Sequence, residues 1–198
     1  MLRTDTPNRA SAGADAAPRR PPLYTPQERV RRDATVWTLV QGVLAPLQFL
    51  VFAVSVFLVL RYLVTGEGLG LATASVVLKT GLLYTIMVTG CIWEKVVFGR
   101  YLFAPAFFWE DVFSMLVLAL HTAYLMAWWS GALDPRQQML LALAAYASYA
   151  INASQFLLKL RAARLDQARA DAMAAAALAD RPHASVPAHE PAAGRLAA

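Results

Sequence analysis

Three long stretches of the chain contain no charged residue, and this pattern constrains the fold more than any other feature. No Asp, Glu, Lys or Arg occurs in residues 34–60, 112–133 or 137–158, and a fourth apolar stretch contains only Lys79. An apolar helix of roughly 18 residues or more can cross the ~30 Å hydrocarbon layer of a membrane. The pattern predicts an all-α integral membrane four-helix bundle. Its spans cover about residues 35–60, 69–93, 112–129 and 137–158.

The composition is that of a membrane protein and argues against nucleic-acid binding. Apolar residues make up 58% of the chain and charged residues 16%, with a mean hydropathy of +0.44. Soluble domains contain about 45–50% apolar and about 25% charged residues. The formal net charge of +5 comes from Lys and Arg residues that flank the apolar stretches. We therefore expect these basic residues to meet a lipid bilayer and not nucleic acid.

The distribution of Lys and Arg predicts the orientation in the membrane. Fifteen of the 18 lie before the first span, after the fourth span or in the connection between the second and third spans. Arg61 and Arg136 lie in the other two loops, and Lys79 lies within a span. Because cytoplasmic loops carry an excess of basic residues, we expect the N- and C-termini to be cytoplasmic.

Both ends of the chain differ in composition from the middle. Residues 1–23 are rich in Pro, Ala and Arg without a hydrophobic period, which predicts a disordered tail. The membrane domain covers residues 24–165, and residues 166–198 are an Ala-rich helical extension followed by a disordered tail. Thr25, Pro26 and Glu28 have the spacing of a capping box that begins a helix.

The connection between the second and third spans has charged ends around an aromatic segment. It runs from Glu94 to Asp111, and nine of its residues form the sequence YLFAPAFFW (residues 101–109). Pro105 breaks any helix there. We expect this segment to lie in the membrane interface or to dip into it.

Ionisable side chains at membrane depth are candidate functional groups, because each costs about 2.5–3.5 kcal/mol to insert. The candidates are Lys79, Glu94, Glu110, Asp111 and His121. On a helix, Glu110 and His121 lie within about 20° of one another, and Ser114 and Tyr124 lie close to the same stripe. Two further polar stripes are Gln41, Gln48 and Ser55 in the first span, and Ser148, Asn152, Gln155 and Lys159 in the fourth. These stripes predict a polar, carboxylate-rich seam on the cytoplasmic side of the bundle.

Each of these features also has a purely structural interpretation. The carboxylates lie at helix ends, where they would serve equally well as hydrated interfacial charges. The polar stripes suit hydrogen bonds between helices, and Lys79 suits a structural role. His121 is the only histidine within a span, so a bis-histidine haem is not expected; a single axial ligand to a magnesium or iron tetrapyrrole and a hydrogen-bonded core histidine both remain open. The residues alone predict a polar, carboxylate-rich seam and do not identify a particular function.

Three stretches resemble the 3-vinyl bacteriochlorophyllide hydratase family, also called 2-vinyl bacteriochlorophyllide hydratase, of photosynthetic bacteria. They are residues 24–33 (YTPQERVRRD) with residues 37–49 (WTLVQGVLAPLQF), residues 84–115 (YTIMVTGCIWEKVVFGRYLFAPAFFWEDVFSM) running on to residues 121–124 (HTAY), and residues 151–161 (INASQFLLKLR). The resemblance implies hydration of the C3 vinyl group of a chlorophyllide or bacteriochlorophyllide to a 1-hydroxyethyl group. It also implies a multi-pass protein of the bacterial inner photosynthetic membrane, with no cofactor beyond the magnesium of the substrate.

The resemblance supplies no residue roles, so the site follows from the chemistry of the reaction. An alkene accepts water when an acid protonates one carbon and the cation on the other is stabilised. Such an acid must stay protonated near neutral pH, which burial and a like-charged neighbour favour. We expect Glu110 and Asp111, with Glu94 nearby, to act as acid and base. We expect the substrate-binding residues to be Lys95, Arg100 or Lys159 at the propionate, together with Gln41, Tyr124 and Trp109. His121 is expected to bind the substrate too, either as axial magnesium ligand or by a hydrogen bond to the macrocycle.

A second class of function fits the same residues. A non-catalytic pigment carrier would bind chlorophyllide through His121 and tolerate loss of the carboxyl groups, whereas a hydratase would depend on them. A small transporter is a weaker alternative, because the sequence shows no internal repeat or pair of broken helices. A homodimer with pigment at its interface and contacts with other bacteriochlorophyll-synthesis enzymes are further expectations.

Overall fold

The computed structural model describes residues 23–179 as an all-α chain. Its helices are α1 (Pro26–Ala34), α2 (Val36–Thr65), α3 (Leu69–Phe98), α4 (Phe108–Ser130) and α5 (Pro135–Ala179). No strand occurs among these residues. The predicted disordered ends fall on residues 1–22 and 180–198, which lie outside the described part of the chain.

Four of the helices, α2 to α5, are long and apolar enough to cross a membrane, which confirms the predicted number of apolar helices. The helices extend further than the uncharged stretches do. Helix α3 continues through Glu94 to Phe98, and α4 begins two residues before Glu110. Hydropathy marks only the apolar part of a helix, whereas the backbone hydrogen bonds continue through the charged turns. The three carboxyl groups therefore lie on helices and not in the connection.

Helix α1 begins at the predicted capping box. The Thr25 hydroxyl accepts a hydrogen bond from the Glu28 amide at 3.3 Å, and the Glu28 carboxylate accepts one from the Thr25 amide at 2.8 Å. Pro26 occupies the first helical position, where its missing N–H leaves no bond unmade. These local bonds fix where α1 begins.

The chain divides into two compact units, and the first extends to Val112. Its described part contains α1, α2, α3 and the first turn of α4. Side-chain hydrogen bonds join the antiparallel helices α2 and α3, among them Ser55 to Ser75 at 2.7 Å, Gln41 to Thr89 at 2.8 Å and Trp93 to Thr38 at 2.9 Å. Gln41 and Ser55 of the polar stripe of α2 thus bond to α3, as expected for hydrogen-bonded helices in lipid, whereas the buried Gln48 side chain makes no such bond among the described residues.

The second unit begins at Phe113, and its described part contains the rest of α4 together with α5. The Asn152 amide donates to the Ser114 hydroxyl at 2.8 Å, and the ring centroids of His121 and Tyr146 are 5.8 Å apart. The buried side chains around these contacts are mainly small or aliphatic: Val117, Met139, Ala142 and Ala145. In this unit too, polar side chains on the two helices meet each other.

Candidate active site

Three carboxyl groups are buried where α3 ends and α4 begins. Glu94, Glu110 and Asp111 expose only 6%, 7% and 5% of their surface. The Glu94 carboxyl interacts with the side chain of Asp111 and with the backbone amide of Ala104. The structure therefore joins Glu94 to Asp111. Neighbouring residues on a helix do not face each other, so the adjacency of Glu110 and Asp111 in sequence does not by itself make them a pair.

The backbone of the connection holds Asp111 in place. The amide of Phe103 donates a hydrogen bond to Asp111 Oδ2 at 2.7 Å, which is short for a bond of this kind. The amide of Asp111 in turn donates to the Phe107 carbonyl at 3.0 Å, in the first turn of α4. Both the side chain and the backbone of Asp111 are thus anchored to the same segment.

The segment that binds the carboxyl pair has an unusual backbone. Phe103 has φ of 58°, and it is the only non-glycine residue with positive φ in residues 23–179. The amide of Phe107 donates to the Ala104 carbonyl at 2.8 Å, which closes a tight turn directly after it. A left-handed conformation at a bulky residue costs free energy, so the surrounding contacts must stabilise it.

Four aromatic rings pack beneath this segment: Tyr24, Trp93, Phe98 and Phe107, called the aromatic cluster below. Tyr24 stacks on Phe98 with ring centroids 5.8 Å apart, and Phe107 meets both Phe98 and Trp93 edge-on at 5.9 Å. The Arg32 guanidinium lies 4.7 Å above the Tyr24 ring, and burial raises the pKa of the Tyr24 phenol. The cluster fixes Phe107, and with it the turn that leads into α4.

A second set of rings lies on the surface of the same segment: Phe103, Phe108 and Trp109, called the aromatic face below. The ring centroid of Phe108 is 5.7 Å from that of Phe103 and 5.5 Å from that of Trp109. Their exposed fractions are 39%, 44% and 68% for Phe103, Phe108 and Trp109. Trp109, predicted to bind substrate, therefore belongs to an exposed apolar surface close in sequence to Asp111.

The predicted cationic residues have different surroundings. The Lys95 ammonium donates to the Gly99 carbonyl at 3.0 Å and lies 5.2 Å from the Tyr101 ring, so it caps the end of α3. Arg100 is exposed in the connection, and Lys159 is half-buried on α5. Lys79 is completely buried. Lys95 and Arg100 are both exposed, and because Lys95 already donates to a backbone carbonyl, Arg100 is the better partner for a bound anion.

His121 lies in the second unit and is completely buried, as is Tyr124. The Nδ1 atom of His121 is 2.8 Å from the Val117 carbonyl oxygen. A carbonyl only accepts, so Nδ1 carries the hydrogen, and in the neutral ring the lone pair is on Nε2. This tautomer suits both a core histidine and a metal ligand, and the role of His121 as magnesium ligand stays a prediction. In residues 23–179, no group of three His, Cys, Asp or Glu side chains is placed to hold a metal ion.

The sequence did not indicate the backbone groups that orient the carboxyl pair. The amides of Phe103 and Ala104 carry no side-chain signal, and phenylalanine is an unfavourable residue at positive φ. The only local cue is that Gly99 and Pro105 bracket the segment, which indicates turns without giving their geometry. Tyr24 likewise carries no local signal for its place in the aromatic cluster.

The described chain is therefore an all-α protein with four helices apolar enough to cross a membrane and with buried carboxyl groups at the ends of two of them. The model of the 2-vinyl bacteriochlorophyllide hydratase family matches residues 24–162. A relative named 2-vinyl bacteriochlorophyllide hydratase from Cereibacter sphaeroides is 72% identical over 152 residues, which cover 76% of this chain and 93% of the relative. One of the same name from Rhodobacter capsulatus is 68% identical over 155 residues, 78% of this chain and 90% of the relative. The chain belongs to the 2-vinyl bacteriochlorophyllide hydratase family. No solved structure gives a significant match.

Proposed function

We propose that this chain adds water to the C3 vinyl group of a bacteriochlorophyllide-type pigment and that the Glu94–Asp111 pair moves the protons. The names of both relatives support the reaction. The observation that carries the site assignment is the contact between two buried carboxyl groups. Two carboxyl groups in such contact hold one proton between them, because a hydrogen bond needs a donor. One group can then donate a proton while the other accepts one.

In the first step, Glu94 donates its proton to the terminal CH₂ carbon of the vinyl group. The π electrons of the C=C bond form the new C–H bond, and the positive charge on the other vinyl carbon is delocalised into the macrocycle. In the second step, a water oxygen bonds to that carbon, and its proton passes to Asp111. Transfer of this proton from Asp111 to Glu94 restores the starting state.

The hydrogen bonds of the two groups decide which is the donor. Asp111 Oδ2 accepts the short bond from the Phe103 amide, which suits a carboxylate that stays an acceptor. Glu94 Oε2 is buried and takes part in no hydrogen bond within residues 23–179. We therefore assign proton donation to Glu94 and proton acceptance from water to Asp111. Glu110 remains a further candidate for either role.

The aromatic face supplies a surface for a flat apolar ring. Phe103, Phe108 and Trp109 are exposed and contact one another in series. Aromatic rings stack well on such surfaces. The proposal places the macrocycle on this face, with Arg100 paired to the propionate carboxylate. We separately propose His121 as a ligand of the substrate's magnesium. The His121 assignment predicts that removing magnesium from the pigment weakens its binding to the native protein but not to His121→Phe.

The proposal requires no redox cofactor, because adding water leaves the net oxidation state of the pigment unchanged. The magnesium of the substrate is the only metal in the reaction. We place α2 to α5 across the bacterial inner photosynthetic membrane with both termini cytoplasmic. The excess of Lys and Arg in the tails and in the connection before α4 supports this orientation.

The test is a direct assay of the full-length chain in membranes. The membranes are incubated with 2-vinyl bacteriochlorophyllide in H₂O and in D₂O, beside membranes that lack the protein. The expected product has gained one water by mass, and its red absorption band lies at shorter wavelength because the vinyl group has left the conjugated system. In D₂O, one deuterium is bound to carbon in the new methyl group. Tight binding without a mass change would overturn the proposal and favour the pigment carrier.

A further inference from the structure

Phe103 combines two features that ordinary connecting residues do not share. Its φ of 58° lies in the left-handed region, where a bulky residue is uncommon. Its amide donates the 2.7 Å bond to Asp111, one of the two carboxyl groups of the proposed pair. Strained backbone of this kind clusters at functional sites, where contacts with the surrounding structure stabilise it.

The next residue extends the same arrangement. The Ala104 amide interacts with the Glu94 carboxyl, and the preceding amide, that of Phe103, donates to Asp111. Two successive amides therefore interact with the two carboxyl groups. Successive amides turn to a common side only when the backbone departs from extended or right-handed conformations, and a left-handed residue provides that departure. Ala104 is itself completely buried and its carbonyl accepts the Phe107 amide, which holds the turn closed.

We propose that Phe103 is a positioning residue whose left-handed backbone turns its own amide and that of Ala104 toward Asp111 and Glu94. The inference rests on the proposed function, since it concerns how the catalytic pair is aligned. The ring of Phe103 has a separate role in the aromatic face, where it packs on Phe108. Backbone conformation should therefore govern turnover, and the ring should govern substrate binding.

Substitutions at one position separate the two roles. Glycine and asparagine both tolerate positive φ, so Phe103→Gly and Phe103→Asn keep the amides in place and remove the ring. Valine is β-branched and strongly disfavours positive φ, so Phe103→Val removes the ring and opposes the backbone conformation. Tyr101→Gly is the matched control, because Tyr101 is an exposed aromatic residue in the same connection.

The experiment measures kcat and KM for the full-length variants in membranes, together with amide hydrogen exchange of residues 103 and 104. All three Phe103 variants should raise KM. Phe103→Gly and Phe103→Asn should keep kcat within about threefold, whereas Phe103→Val should lower kcat about tenfold or more and speed exchange of both amides. Tyr101→Gly should leave kcat and amide exchange as in the native protein.

Two outcomes would overturn the inference. One is a native kcat in Phe103→Val, and the other is an equal loss of kcat in the Gly, Asn and Val variants. Either result would contradict the positioning role of Phe103 and would leave the proposed hydratase function unaffected. An inactive native protein would instead overturn the proposed function, while the exchange of the two amides in Phe103→Val still decides whether the backbone of Phe103 positions them.

Discussion

Asp111 accepts a 2.7 Å hydrogen bond from the backbone amide of Phe103, eight residues earlier in the chain. This bond folds the connection back onto the first turn of α4 and fixes one carboxyl group of the buried pair. The aromatic cluster supports the same segment from below through Phe107. The proposed acid–base pair is therefore held by backbone and by packing, in addition to its own contact.

Asp111→Asn should abolish most of the hydratase activity without loss of folded protein. The asparagine side chain still accepts the bond from the Phe103 amide, but it cannot take a proton from water. Loss of a positioned acid or base lowers rates about 10²–10⁴-fold. The control is Asp166→Asn, an exposed aspartate 3.5 Å from Arg169 on α5. Product formation by mass, per amount of folded protein, measures the effect, and native rates in Asp111→Asn would exclude a catalytic role.

Arg100→Gln should weaken binding only of pigments with a free propionate. Arg100 is exposed, so its ion pair with the carboxylate is worth about 0.2–1 kcal/mol, which is about a 1.4- to fivefold rise in KM. The methyl ester of the same pigment should bind the native protein and the variant equally. Arg61→Gln, at the exposed end of α2, is the matched control. An equal rise in KM for acid and ester would rule out the assigned pairing.

Thr38→Val should destabilise the packing of α1, α2 and α3. The Thr38 hydroxyl donates to the Arg32 carbonyl at 2.6 Å and accepts from the Trp93 indole at 2.9 Å. Valine preserves the shape and removes both bonds, which should lower the free energy of unfolding by about 1–3 kcal/mol. Thr85→Val is the control, because the Thr85 hydroxyl donates to the Gly81 carbonyl of its own helix. Denaturant unfolding in detergent would measure the free energy of unfolding of both variants. An equal loss of stability in Thr38→Val and Thr85→Val would contradict the prediction.

Tyr24→Phe should change the dependence of stability on pH at alkaline pH. Burial raises the pKa of the Tyr24 phenol above its ordinary value of 10.0. The folded state then holds this proton more tightly, so the associated stability is present below pH 10 and lost as the pH rises through the folded-state pKa. Phenylalanine keeps the ring stacking and removes the titration. As the pH rises above 10, the melting temperature should fall less steeply for Tyr24→Phe than for the native protein. Parallel curves would contradict a raised pKa of the Tyr24 phenol.

The helical architecture was predictable because its signals are local. Apolar stretches, three of them uncharged and one interrupted only by Lys79, indicated α2 to α5, and Thr25, Pro26 and Glu28 indicated the start of α1. Only the helix ends were misjudged, since α3 and α4 continue past the charged residues that bound the apolar stretches. Whether the helices insert as assigned, with both termini cytoplasmic, stays a prediction.

The candidate site was predictable in its residue types but not in its pairing. The cost of placing a charge at membrane depth singles out Glu94, Glu110 and Asp111 from the amino-acid sequence alone. The contact of Glu94 with Asp111 depends on how the connection folds, and that depends on a left-handed Phe103 that the sequence disfavours. Long-range packing, here the stacking of Tyr24 on Phe98, stabilises what the local sequence does not specify.

The most direct test of the account is the hydration rate of Glu94→Gln, compared with the native protein and with Glu67→Gln at equal amounts of folded protein. Glutamine keeps the size of the side chain and removes the proton that the vinyl group must receive, while Glu67 is an exposed glutamate in the loop before α3. The account predicts that Glu94→Gln forms product about 10²–10⁴-fold more slowly, with Glu67→Gln at the native rate. A native rate of hydration in Glu94→Gln would contradict it.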